Sequence, residues 1–218
     1  MNMIKGGCGI EFYDVLAKRR TIRDFCDKEV SDELLHKVLD AAFKAPSNDH
    51  LHQLEFVVVR GRENIMRLIA PVAENTQKIQ HAGLEAGRAV MDADECEMFV
   101  DALPKQQKML VESNCLVLPF FRQKDYPLCK LAEQCSLNYF ASAWAAMENI
   151  FLAATAEGLA CAFRISINGE SAHVKALVGV PEDYELTCFL TVGYPAPDAF
   201  IPTQKVIDVR ERIHSGKW

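Results

Sequence analysis

The sequence predicts an α+β fold in which a small sheet is covered by helices. Helical and strand segments are mixed, two helices precede the first strand, and strict alternation of strand and helix is absent. Such alternation would indicate a parallel α/β sheet, so its absence favours the α+β class. The chain has 218 residues, half of them hydrophobic, which is enough to bury a core. We therefore expect one domain over residues 1–218.

The first part of the chain predicts helices and two buried strands. "EFYDVLAKRR" has helical spacing, and "VSDELLHKVLDAAFKAPS" is an amphipathic helix with Ser31 as its N-cap and Pro46 at its end. "RENIMRLIAPVAEN" predicts a helix interrupted near Pro71, while "LEFVVVRG" and "CLVLPFF" predict strands. We interpret residues 75–107 as a variable insertion, either one irregular helix or a lid that sets substrate choice.

The second part predicts a central helix, two strands and an arm. "SLNYFASAWAAMENIFLAATAEG" is apolar nearly all round, which indicates burial, and Gly158 is suited to end it. "CAFRISI" and "LTCFLTVGYP" predict strands, and "GESAHVKALVGVP" predicts a short helix. The tail "KVIDVRERIHSGKW" alternates in a way that suits an extended arm. Together these segments predict a mainly antiparallel sheet.

Composition argues against several classes of function. A net charge of −6 offers no broad cationic face, so we expect no nucleic-acid partner. No stretch reaches the roughly 18 apolar residues of a membrane span, and the N-terminus lacks the apolar core of a secretory signal. We therefore expect a cytoplasmic protein with no membrane partner. The eight cysteines form no CxxC pair, and we interpret them mostly as buried small hydrophobes.

The stretch "RRTIRDF" is a candidate anion site. Arg19, Thr21 and Arg23 alternate, so in an extended segment their side chains share one face. Guanidiniums with a hydroxyl between them suit a phosphate, because arginine offers a planar pair of donors. The alternative is a solvated basic helix end. Arg20 points to the other face of an extended segment, and Phe25 suits the core.

Two further stretches offer hydrogen-bond donors. The loop "APSNDHLHQLEF" places polar residues between a helix and a strand, and the turn in "EGLACAFRISI" offers backbone amides to a planar ligand. Both stretches are also typical of ordinary connections between a helix and a strand. His50 and His52 alternate, but no further ligand is nearby, so we predict no metal site. Motifs for phosphate loops, dinucleotide binding and a protein nucleophile are absent, so we expect no catalytic side chain and a cofactor that carries the chemistry.

In this order, the stretches resemble the FMN-dependent nitroreductase family. "RRTIRDF" is similar to its Arg-Arg-Ser-x-Arg-x-Phe motif, "APSNDHLHQLEF" to its Pro-Ser loop, and "AAMENIFLAATAEGLACAFRISIN" to its central helix and following turn. "VKALVGVPEDYELTCFLTVGYPAP" and the ending "ERIHSGKW" continue the resemblance, which covers about residues 12–218. The loop departs from the family pattern: its usual Asn is His50 and its usual Gln is His52.

The resemblance implies FMN-binding positions. Arg19, Arg20, Thr21 and Arg23 correspond to the phosphate and ribityl grip, and Lys205, with Arg210 as its rival, to a late cationic phosphate ligand. The loop that a partner subunit brings to the flavin corresponds to Pro46, Ser47, Asn48 and His50. The position near the flavin ring corresponds to Ser142. The turn whose backbone meets the N5 and O4 edge corresponds to Phe163, Arg164, Ile165 and Ser166. The polar contact to the pyrimidine edge of the flavin corresponds to Lys105, Gln106 or Gln107.

The resemblance also implies an activity and an assembly. We expect an interlocked homodimer with extended C-terminal arms, in which NADH or NADPH gives hydride to FMN and a small electron-poor acceptor, such as a nitroaromatic or a quinone, takes the electrons. The alternatives are a reductive dehalogenase, a flavin-modifying enzyme, or a flavin-binding redox sensor without turnover.

Overall fold

Five strands form one antiparallel sheet at the centre of the protein. The computed structural model describes residues 10–76, 92–123 and 137–218. The sheet runs in the order β1-β2-β5-β3, and β4 pairs with β2 outside this path. The strands are β1 (Leu54–Arg60), β2 (Cys115–Arg122), β3 (Ala160–Arg164), β4 (Tyr184–Leu186) and β5 (Phe189–Gly193).

A proline marks the place where β2 changes its second neighbour. β1 follows β2 over its whole length, but β5 pairs only at Leu116 and Val117, and β4 pairs from Phe120 to Arg122. Pro119 lies between these two contacts. A proline has no amide hydrogen to give to a ladder, so it suits a break in pairing. Its carbonyl still accepts from the Thr187 N–H at 2.8 Å.

Helices cover both faces of the sheet, and local signals explain their ends. Ser31 caps the second helix as predicted, because its Oγ accepts from the Leu34 N–H at 3.3 Å. The predicted interruption near Pro71 is confirmed, because one helix ends at Leu68 and the next begins at residue 70. The helices are α1 (Phe12–Lys18), α2 (Asp32–Asp40), α3 (Arg62–Leu68), α4 (70–76), α5 (Ala93–Ala102), α6 (Lys105–Glu112), α7 (Leu137–Ala156) and α8 (Glu170–Val178), with 3₁₀ turns at Ala41–Lys44, Asn48–His50 and Val209–Arg212.

Two apolar clusters form the core, one on each face of the sheet. Alternate residues of β2 divide between them: Val117 packs with α2 and α7, and Leu116 packs with α3, α6 and α8. The predicted central helix α7 contributes Met147 and Ile150 to the first cluster, both with no exposed surface. β2 is therefore buried on both faces, which explains its unbroken apolar run.

The structure confirms the predicted α+β class and differs from the sequence-based prediction in three elements, one of which is the tail, where the predicted extended arm contains a 3₁₀ turn at Val209–Arg212. Strand β4 was not predicted, because three residues are too few to give a periodic signal. Residues 92–107 form α5 and the start of α6, which meet at Pro104, and not one irregular helix. Residues 77–91 of the predicted insertion lie outside the described ranges. Over the described ranges, no helix has the length and hydropathy needed to cross a membrane.

Candidate active site

An arginine-rich cleft lies where the segment after α1 runs beside β3. The segment is extended as predicted: Thr21 pairs with Cys161, and Phe25 pairs with Pro195 and is buried. The cleft has a volume of about 580 Å³. Its walls come from the segment, from α5 and from the beginning of the C-terminal arm, which we take in the structure as residues 200–218: Arg19, Arg20, Thr21, Arg23, Glu95, Met98, Phe99, Ala102, Phe200, Pro202, Thr203 and Gln204.

Arg23 has the environment that most clearly calls for an anion. Its Nε atom is buried and has no hydrogen-bond partner within residues 10–76, 92–123 and 137–218. Burial lowers the pKa of Arg23, although the carboxylates of Asp101 and Asp24 act in the opposite direction. The lowered pKa means that the folded chain disfavours the charged guanidinium relative to water. A ligand with acceptor oxygens and negative charge would satisfy it.

The other two arginines of the segment differ from each other. Arg19 Nε lies 3.8 Å from Glu148 Oε1, which is beyond hydrogen-bond distance. Arg20 donates to the carbonyls of Ala17 at 2.6 Å, Arg19 at 2.8 Å and Pro202 at 3.0 Å. Arg20 thus borders the cleft, but its guanidinium fastens the end of α1 to the beginning of the arm.

The three candidates for the pyrimidine edge differ in their contacts, and Lys105 is held by two carboxylates next to residues that line the cleft. Its Nζ is 2.5 Å from Asp24 Oδ2 and 2.5 Å from Asp101 Oδ1. Burial would lower the pKa of Lys105, but these hydrogen bonds outweigh it and raise the pKa above its usual value. Gln106 Nε2 instead donates to the Ala102 carbonyl at 3.1 Å, and Gln107 lines a separate groove.

The two candidates for the late cationic ligand are engaged with carboxylates. Lys205 Nζ lies 2.5 Å from Asp92 Oδ2 and 3.5 Å from Glu95 Oε1, and all three side chains are about half exposed. Arg210 Nε lies 2.9 Å from Asp208 Oδ1. Lys205 follows the wall residue Gln204 directly, and its Nζ contacts Glu95, which also lines the cleft.

The predicted loop forms a second, smaller pocket with α7. The Asn48 N–H donates to Ser142 Oγ at 2.9 Å, and Ser142 Oγ donates to the Asn138 carbonyl at 2.7 Å. Pro46 and Ser47 also line this pocket, and none of the residues that line it lines the arginine-rich cleft. His50 is near the pocket but does not line it.

The loop also contains three departures from ordinary backbone geometry within four residues. Asp49, His50 and His52 have φ values of 49°, 55° and 46°. Left-handed conformations are uncommon for residues other than glycine, even for Asp and His, which adopt them more readily than most, and three within four residues indicate a constrained loop. The residues that depart from the family pattern therefore adopt a constrained conformation.

The turn after β3 forms a third group. Phe163 packs against the rings of Trp144, at 5.1 Å between centroids, and Phe151, at 5.8 Å. The Arg164 side chain is buried in an ion pair with Glu170, so only the backbone of Arg164 can face a ligand. Ile165 has an exposed side chain, and Ser166 is partly exposed.

The α5 wall of the cleft was not predicted from the sequence. Met98 and Phe99 give it an apolar side, and Glu95 adds a carboxylate. A capping box marks the start of α5, because Glu95 N–H donates to Asp92 Oδ1 at 2.9 Å and Asp92 N–H donates to Glu95 Oε2 at 3.1 Å. The spacing of these two residues was the available signal for this helix.

The antiparallel sheet between helical layers and the basic cleft agree with the fold and the anion site that the sequence resemblance implies. The chain belongs to the nitroreductase family, whose family model matches residues 16–194. The predicted family and enzyme class are thereby confirmed.

Three known proteins illustrate what the chain is similar to. A protein of Archaeoglobus fulgidus, provisionally named NADH dehydrogenase/NAD(P)H nitroreductase, is 27% identical over 95% of this chain and 99% of its own length. The structure of a BluB-like flavoprotein from Clostridium difficile 630 is 26% identical, with a TM-score of 0.66 over 96% of this chain and 100% of that chain. The structure of oxidised iodotyrosine deiodinase bound to FMN and 3-iodo-L-tyrosine is 23% identical, with a TM-score of 0.64 over 91% and 97%.

Proposed function

We propose that the arginine-rich cleft binds FMN and that the flavin phosphate lies against Arg19, Thr21 and Arg23. The observation that carries this proposal is the buried Nε of Arg23, which has no hydrogen-bond partner in the described residues although it lines the cleft. A doubly charged phosphate offers the acceptors that this guanidinium lacks, and Arg19 adds a second cation. Lys205, near the C-terminus, remains our proposed additional cationic ligand of the phosphate.

The chain's own residues would bind and orient this cofactor. In this proposal the arginines hold the phosphate, Lys105, paired with Asp24, is the candidate cation for the pyrimidine edge, and the turn from Phe163 to Ser166 offers backbone donors to the N5 and O4 edge. Bound FMN supplies the hydride and electron-transfer chemistry. Donors aimed at the position where charge develops are the largest contribution a protein makes to such a reaction.

We propose NADH or NADPH as the hydride donor and small electron-poor molecules, such as nitroaromatics or quinones, as acceptors. The name of the Archaeoglobus relative supports this choice. We also propose the cytoplasm as its location.

We propose a homodimer that completes the site. Within one chain, the loop at Pro46–Asn48 and the arginine-rich cleft share no wall residue, so one copy's loop could serve the other copy's flavin. The arm exposes a series of large apolar side chains: Ile201, Val206, Ile207, Val209, Ile213 and Trp218. Such a series favours burial against a partner, and closed dimers are the commonest oligomers.

An absorbance spectrum of the purified protein tests the proposal. We expect a yellow protein whose flavin band bleaches when NADH or NADPH is added without oxygen. Added nitroaromatic or quinone should restore the band. A colourless protein that takes up no added FMN would refute the proposed function.

A second candidate is a specialised relative that removes halogen from an aromatic acceptor or modifies the flavin. The constrained loop with His50 and His52 in place of the usual ring contacts favours it. The similarities to the deiodinase and the BluB-like flavoprotein support the same candidate. Halide release from a halogenated phenol under anaerobic conditions separates the first of these activities from nitroreduction. A flavin-binding sensor would show no acceptor-dependent oxidation of NAD(P)H, whether or not NAD(P)H bleaches its flavin.

A further inference from the structure

A buried ion pair lies directly behind the turn that we propose faces the flavin. Both Arg164 Nη atoms bond to the Glu170 carboxylate, and the bond from Arg164 Nη2 to Glu170 Oε1 measures 2.7 Å. Arg164 is 6% exposed and Glu170 is 1% exposed. The pair joins the last residue of β3 to the first residue of α8.

The same carboxylate also holds the backbone of the turn. The Ile167 N–H donates to Glu170 Oε2 at 3.0 Å, and Arg164 Nη1 donates to the Ile165 carbonyl at 3.2 Å. The turn is thus anchored on both sides of Ser166. The chain then reverses through Asn168 and Gly169, at φ values of 46° and 85°, where Asn and Gly tolerate a left-handed conformation.

A third element reaches this carboxylate from α4. Asn75 Nδ2 donates to Glu170 Oε1 at 2.9 Å, and Asn75 is 7% exposed. Glu170 therefore accepts hydrogen bonds from a strand, a turn and a helix. α4 lies immediately before residues 77–91, so this hydrogen bond also connects the turn to the start of the predicted insertion.

Two backbone donors between the anchors are left free for a ligand. Within the described residues, the amides of Ile165 and Ser166 donate to no protein acceptor. The pairing of Thr21 with Cys161 brings the strand that carries this turn alongside the arginine segment. Fixed amides next to an anionic cofactor stabilise charge that develops on it, provided that their direction does not change.

An ion pair so deeply buried is poorly explained by stability alone. Taking two charges out of water costs as much as their attraction returns, and apolar pairs of similar volume often stabilise a core better. What the pair provides here is direction, because a two-point contact between guanidinium and carboxylate fixes the geometry of both.

We propose that Glu170 is a positioning residue, which acts through Arg164 and the 164–167 backbone to keep the amides of Ile165 and Ser166 aimed at the flavin edge. This inference rests on the proposed FMN site. In this role Glu170, which does not line the cleft, controls how strongly the protein prefers reduced to oxidised flavin. The control differs from a contribution to folding, which would affect both flavin states equally.

The decisive experiment measures FMN dissociation constants in both redox states for the wild type and Glu170→Gln. The amide side chain keeps the size of the carboxylate but loses its charge and one acceptor. We expect the preference for reduced over oxidised FMN to fall about tenfold, which corresponds to a midpoint potential about 30 mV lower for a two-electron couple. An unchanged ratio with bound flavin would overturn the inference, even if the variant is less stable.

A matched control uses the other ion pair of α8. Lys175 Nζ lies 3.0 Å from Glu185 Oε1, and this pair makes no contact with the turn. Glu185→Gln should leave the ratio of the two dissociation constants within about twofold of the wild-type ratio. If Glu185→Gln lowers the ratio as much as Glu170→Gln does, then the effect is not specific to the turn.

Hydrogen exchange in the flavin-free protein provides a readout that is independent of activity. Glu170→Gln should speed exchange of a peptide spanning residues 163–168 at least tenfold, because the Ile167 amide loses its charged acceptor. Unchanged exchange would overturn the inference.

If Glu170→Gln does not fold, Asn75→Ala removes one hydrogen bond and leaves the ion pair intact, and it should change both readouts in the same direction by about threefold. A wild-type chain that binds no FMN would refute the proposed function, while the exchange experiment would still judge whether Glu170 holds the turn.

Discussion

Replacing Arg23 should have opposite effects on stability and on cofactor binding. Its buried Nε has no hydrogen-bond partner among the described residues, and burial lowers its pKa despite two nearby carboxylates. A buried donor without an acceptor costs about 1–3 kcal/mol. Arg23→Met removes this donor and its charge while it keeps a chain of similar length. We therefore expect the flavin-free protein to become more stable by about 1 kcal/mol, since some attraction to Asp101 and Asp24 is lost as well.

The same substitution should weaken FMN binding through the phosphate. A hydrogen bond to a charged group contributes about 1.5–3 kcal/mol, which corresponds to a dissociation constant roughly 10- to 150-fold higher. Riboflavin lacks the phosphate, so its affinity should change less than about twofold. The selectivity for FMN over riboflavin is therefore the quantity that reports on Arg23.

Two titrations and one unfolding curve decide the matter. Flavin fluorescence quenching measures both ligands, and urea unfolding at fixed protein concentration measures the flavin-free protein. Arg62→Met is the matched control, because Arg62 is an exposed arginine at the start of α3 and does not line the cleft. If Arg23→Met destabilises the flavin-free protein and weakens FMN and riboflavin equally, Arg23 is a structural residue and the reasoning is refuted.

Three further predictions concern packing, pH and assembly. A Cβ on Gly193 would lie 2.9 Å from Phe25 Cδ1, so Gly193→Ala should lower the free energy of unfolding by about 1–3 kcal/mol, measured in urea. Burial would raise the pKa of Asp24, but hydrogen bonds, led by the one from Lys105, hold this pKa below its usual value of 3.8. The ionised Asp24 therefore stabilises the folded protein above pH 3.8, and this stabilisation is lost as the pH falls further. Asp24→Asn should therefore unfold with less dependence on pH below about 4, and an unchanged acid profile would contradict the assignment. Removing residues 203–218 should convert the proposed dimer to monomer in sedimentation experiments, and a truncated chain that remains dimeric would exclude the arm as the main contact.

Local signals explain why much of the fold could be predicted. Strand β1 has three successive valines, and α2 combines a serine cap with an apolar stripe, so neighbouring residues carry the information. The extended anion segment was predicted because alternation of Arg19, Thr21 and Arg23 is itself a local pattern. Strand β4 was missed because three residues give no periodic signal, and the α5 wall was missed because the Asp92–Glu95 cap marks a helix start but not what the helix faces.

The sequence by itself determined the α+β class, most strands and helices, and the segment that we propose binds phosphate. Only the tertiary structure distinguished the roles of its arginines: Arg20 donates to the carbonyl of Pro202, 182 positions away, whereas Arg23 keeps a buried donor without a partner in the described residues. It also revealed that Glu170 joins Arg164, Ile167 and Asn75. Hydrogen bonds and desolvation depend on which distant groups folding brings within about 3 Å, and no local pattern records that distance.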